Sequence, residues 1–152
     1  MRVNLISDVE LFTNMSVGGP ASAISNHEKA LKEVGVKTTV NSDTTSDIKH
    51  IHTIGPLAVT NLLSKKCPTV ISSHITSKDM VGYLNFADLN EPIINKYLIS
   101  LYNAADVVVA PTKFTKNFIE KHGVKNKIYV ASNGVDTKKF SYSKSKRKKF
   151  RE

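Results

Sequence analysis

Short apolar runs rich in β-branched residues alternate with stretches of helical period along nearly the whole chain. That alternation restricts the fold to a parallel α/β sheet with helices as crossovers. The runs fall at residues 3–7, 36–41, 49–53, 69–73, 106–110 and 128–130. Helical spacing fills residues 20–34, 56–63, 91–103 and 112–122. The result reads as a doubly wound, mainly parallel sheet of about six or seven strands. Ligands of such sheets gather beyond the carboxyl ends of the strands. That rule selects the loops after Ser7, Thr53, Ser73 and Ala110.

Local signals place the helices. Gly18 and Gly19 precede Pro20, which suits a first helical position. Ala23, Ile24, Ala30, Leu31 and Val34 form one apolar face, and Gly35 ends it. Pro56 opens a helix expected to turn Ala58, Val59, Leu62 and Leu63 inward. Ile93, Ile94, Tyr97, Leu98 and Leu101 keep helical spacing in the next. Thr112 is a candidate cap for the last, with Phe114, Phe118 and Ile119 on its core face and Gly123 as its stop. The polar connection from His74 to Asn90 exceeds ordinary α/β loops of about 2–6 residues, so it is functional or holds a short helix.

At 152 residues the chain is one domain long and can bury an ordinary core. A net charge of +9 points first to nucleic acid or an anionic membrane, but its distribution weakens that reading. Residues 137–152 hold eight Lys or Arg against Glu152 alone, a net of +7, which leaves +2 for the other 136 residues. The basic segment is read first as a solvated linker or tail, with weak anionic-membrane contact as an option and nucleic acid set aside. Cys67 is the one cysteine, so no internal disulfide forms, and beside Pro68 it reads as a small core thiol. No apolar run approaches the roughly 20 residues of a membrane span. The expected compartment is the cytoplasm, with peripheral membrane attachment as the alternative.

Gly18 and Gly19 could let backbone amides approach an anion at a helix N-terminus, or could simply form a flexible turn. They match neither the dinucleotide fingerprint G-x-G-x-x-G nor a Walker loop. His50 and His52 alternate along a strand and share one face. A metal site needs further ligands, and no Cys, Asp or Glu stands at ligand spacing apart from Asp47, so none is expected. His52 is read as ending its strand at the ligand edge. His74 follows Ser72 and Ser73 at a strand end, where an imidazole can bond a sugar hydroxyl or move a proton, or can be satisfied by backbone. Lys78 lines the same cleft or is an ordinary solvated charge. Asn133 and Gly134 make a turn that no strand pattern follows, which argues against a hairpin.

Residues 104–112, the strand at 127–130 and the turn Asn133–Gly134–Val135–Asp136 followed by Phe140 resemble the N-terminal half of a GT-B glycosyltransferase of family 4, the group 1 transferases. The glycines at 18 and 19 and the strand at 47–52 match more loosely, and Ala131–Ser132 replace the family's usual hydrophobic residue and proline. The resemblance implies a Rossmann-like, three-layer α/β/α acceptor-side domain over residues 1–136, a linker over 137–152, and a C-terminal donor-binding domain lying outside this chain. It implies retaining transfer of a hexose from a nucleoside-diphosphate sugar, as co-substrate, to a hydroxyl of a sugar, lipid or other acceptor. No tightly bound cofactor and no metal are required. His74 would contact the transferred sugar. Gly18, Gly19, His52 and Lys78 would bind substrate, and Asn133 and Gly134 would form the interdomain hinge. The family's second domain supplies an Arg, a Lys and paired glutamates around the donor. Without them the chain is expected to turn over little. The alternative is a stand-alone Rossmann-like binding module that acts with a partner chain, or through its basic tail on nucleic acid or an anionic membrane.

Overall fold

The computed structural model describes residues 1–8, 19–42, 45–81, 87–135, 137, 141–143, 147, 149 and 150. Six strands form one all-parallel sheet: β1 (Arg2–Ile6), β2 (Lys37–Val40), β3 (Ile48–Ile51), β4 (Thr69–Ser72), β5 (Val107–Ala110) and β6 (Lys127–Val130). Their order across the sheet is β2-β1-β3-β4-β5-β6. The helices are α1 (Gly19–Glu33), α2 (Pro56–Ser64), α3 (Ser77–Val81), α4 (Ala87–Ala104) and α5 (Lys113–Lys121). The expected α/β fold is therefore the observed one, and α3 is the short helix anticipated in the long polar connection.

Strand alternation divides the core in two. Val3 and Leu5 of β1 pack with Ile24 of α1 on one face. Ile6, Ile51, Ile71, Val108 and Ile128 meet α2, α4 and α5 on the other. The residues that carry this second core include Leu62, Leu98, Tyr102 and Ile119. Register places Leu5 between Val40 and His50. The buried Asn4 is satisfied through both ends of its amide. It donates to the Ser42 carbonyl at 2.7 Å and accepts from the Ser42 N–H and the Thr39 hydroxyl, each at 3.2 Å.

Several helix faces differ from the expected ones. Val34, Leu63, Ile93 and Phe114 are each about 70% exposed. Ala30 is exposed as well. An apolar stripe about 100° wide admits one of two adjacent positions. The sheet therefore takes Leu62 and leaves Leu63 in water. Tyr102, missed in the sequence, is fully buried and donates its hydroxyl to the Ile75 carbonyl at 2.6 Å. Burial pushes the Tyr102 phenol well above its ordinary pKa. Cys67 is half-buried, its Sγ 3.9 Å from Ser46 Oγ.

Candidate active site

β1 and β3 lie side by side, and the chain leaves them for α1 on one face and α2 on the other. This is the topological switch point of the sheet, where doubly wound folds open a crevice. Asp8, just past β1, is 2% exposed. Its Oδ2 accepts from the Thr53 hydroxyl at 2.5 Å and the Gly55 N–H at 3.2 Å, while Oδ1 accepts from the Leu57 N–H at 2.8 Å. Gly55 is the N-cap of α2 and offers no side chain for the purpose. Asp8 thus caps that helix from a distant strand.

Beside it, on the α1 face, four of the five histidines converge. His50 lies in β3, and its Nε2 is hydrogen-bonded to Ser72 Oγ at 2.9 Å. His52 extends the ladder of β3 through a 2.9 Å bond from its N–H to the Ile6 carbonyl. After β4 the Ser73 N–H still pairs with Val109, then the His74 N–H turns back onto the Ser72 carbonyl. This turn sets His74 Nε2 at 3.3 Å from His52 Nδ1. His27 enters from α1, with its ring centroid 5.0 Å from His52 and 5.7 Å from His50.

Burial holds these imidazoles neutral, and the neighbouring histidines add to the effect in His50, His52 and His74. It depresses His50 to about 3, His52 to about 2 and His74 to about 4, and it lowers His27 as well. Two ring nitrogens, His27 Nδ1 and His52 Nε2, are buried with no hydrogen-bond partner. A buried N–H without an acceptor is the costlier defect. We therefore assign His52 as the Nδ1–H tautomer, donating to His74 Nε2 and leaving a bare lone pair at Nε2.

The structure brings His52 and His74 together at the carboxyl edge of the sheet. Gly18 lies outside the described residues, and Gly19 is the first residue of α1. The Lys78 ammonium lies 5.8 Å from the centroid of the Phe118 ring. Neighbouring Asp79 closes a reciprocal cap with Thr76, accepting from that residue's N–H at 2.8 Å and hydroxyl at 2.7 Å. Asn133 and Gly134 join Asn26, His27 and Ser132 around a cavity of about 330 Å³ beside α1. His27 was missed, although at three residues beyond Ile24 and four before Leu31 it continues the inward stripe of its helix.

The sequence model of Glycosyltransferase Family 4 matches residues 17–139. The chain belongs to that family. A relative in Acholeplasma laidlawii, the processive diacylglycerol alpha-glucosyltransferase, is 29% identical over 155 aligned positions that cover 99% of this chain and 45% of the relative. The crystal structure of Anabaena Alr3699/HepE in complex with UDP-glucose matches with a TM-score of 0.64 at 14% identity. It covers 99% of this chain and 49% of that one. The same protein with UDP and glucose gives 0.62. The likeness to these structures establishes the fold. This family 4 chain spans about half the length of the relatives it matches. Among its described residues no helix is long and apolar enough to cross a membrane.

Proposed function

We propose that this chain is the acceptor-side, N-terminal half of a retaining glycosyltransferase that moves a hexose from a nucleoside-diphosphate sugar to an acceptor hydroxyl. One observation carries the reading. In a family 4 chain, His74 stands at the carboxyl edge of the parallel sheet with its imidazole oriented by His52. As the acceptor of the His52 bond, His74 keeps its own proton on Nδ1, where it can donate to a sugar hydroxyl. Held neutral, with its pKa near 4, it serves as a hydrogen-bonding group and not as a cation. The charge that steadies a departing diphosphate then has to come from a second domain. The reading needs no metal for this step.

A lipid hydroxyl is the acceptor we favour. The diacylglycerol named for the Acholeplasma relative supports it, and so does the +7 of residues 137–152, which would hold an anionic membrane surface from the cytoplasmic side. In this arrangement residues 1–136 form the domain, Asn133 and Gly134 the hinge, and residues 137–152 the link to the donor half.

The test is an NMR assay of sugar transfer with UDP-sugars and diacylglycerol vesicles. It compares the 152-residue chain with a protein in which a donor domain follows it. Activity is expected only in the longer protein, with the anomeric configuration retained. His74→Ala in that protein should lower kcat about 10²-fold. Robust transfer by the short chain removes the half-enzyme reading, inversion removes the mechanism, and an unimpaired His74→Ala variant removes the role of His74.

A further inference from the structure

Among the described residues, His27, His50 and His52 each offer a ring nitrogen, and these atoms lie within 4.8 Å of one another. We propose that the three form a binding site for a borderline-soft divalent cation of the zinc class. The proposal is separate from the sugar-transfer reading, which needs no metal.

Geometry and hydrogen bonding carry it together. His52 is 2% exposed, and its Nε2 lacks any protein partner. His27 Nδ1, from a different element, is buried and unpartnered in the same cluster. A buried polar atom left without a partner costs about 1–3 kcal/mol. One cation shared by the two lone pairs relieves both defects at once. In two of the three rings the far nitrogen is already engaged, as it is in built metal sites. His50 Nε2 is bonded to Ser72 Oγ, and His52 Nδ1 to His74 Nε2. Such outer bonds fix the tautomer that leaves the opposite nitrogen free for the metal.

The donor set selects the ion. Imidazole nitrogens suit zinc, copper and nickel, whereas calcium and magnesium require oxygen ligands. Metal coordination needs neutral imidazoles, and burial already keeps these rings in that form. Zinc–nitrogen bonds of about 2.0–2.1 Å set tetrahedral ligands about 3.3 Å apart, so the rings must draw in by about 1 Å. His27 comes from the half-buried face of α1 and borders the 330 Å³ cavity. Three protein ligands leave a fourth position open to water or another ligand.

The experiment titrates the chelator-stripped full chain with ZnCl₂ by calorimetry. It repeats the titration with CoCl₂, read by visible absorption. One cation per chain is expected, with the melting temperature rising on zinc addition. His27→Gln should weaken binding about 100-fold or more and remove the thermal shift. His122→Gln serves as the control, since His122 stacks on Phe118 outside the cluster, and it should bind as the wild type does. Absence of one-to-one binding overturns the site. So does wild-type affinity in His27→Gln, or loss of binding in His122→Gln.

Discussion

A methyl group at residue 55 would meet the carboxylate of Asp8, its carbon 2.7 Å from Cγ and 2.9 Å from each oxygen. Since Asp8 is held by three donors in the 53–57 segment, it cannot move away without uncapping α2. Gly55→Ala should therefore cost about 1–3 kcal/mol in urea unfolding. In an Asp8→Ala background the same change should cost much less, because the obstructing group is gone. Equal costs in the two backgrounds would show that the clash is not the cause. The histidines give a second prediction at this scale. Their folded pKa values lie below the unfolded 6.5, so the unfolded chain gains protons first as pH falls. Stability is complete above about pH 6.5 and is lost progressively below it. His50 and His52 each contribute a slope of about 1.4 kcal/mol per pH unit until their folded values are reached. Urea unfolding of the metal-free chain at pH 7 and pH 5 checks this, and equal midpoints would refute it.

At the scale of elements, local chemistry predicted most of what is found. The hydroxyl of Thr112 accepts from the Thr115 N–H at 3.0 Å and opens α5, as its position suggested. Thr112→Ala should cost about 1 kcal/mol, measured by thermal or urea unfolding, and no loss would mean the cap contributes nothing. Strand existence was legible because buried parallel strands are written as runs of β-branched residues. Helix faces were legible only to within one residue, because the choice between neighbours such as Leu62 and Leu63 depends on the sheet they meet. The site divides along the same line. Alternation alone puts His50 and His52 on one face, and His74 stands directly after a strand. His27 arrives from another element, and Asp8 caps a helix that begins 48 residues later, so neither contact is encoded in any local spacing. The edge strand of the sheet shows the same dependence. Lys127 lies 4.8 Å from the ring centroid of Tyr129, and Tyr129 is 49% exposed, although β6 reads locally as a buried strand.

For the whole molecule, the function proposed above sets one expectation, that sugar transfer appears only when a donor domain follows these 152 residues. The topology sets another. Every neighbouring strand pair is parallel. No hairpin can therefore form early, and each pairing must first close a crossover. Refolding from urea should run on the scale of milliseconds to seconds, and stopped-flow fluorescence of the tyrosines can time it; a microsecond phase carrying the full amplitude would contradict this. The strand order also has a consequence for synthesis. All four clustered histidines lie within residues 27–74, on elements that precede α3. During translation every group of that cluster is synthesised before β5 and β6, so the chemistry-bearing edge of this sheet is written first and its far strands are added behind it.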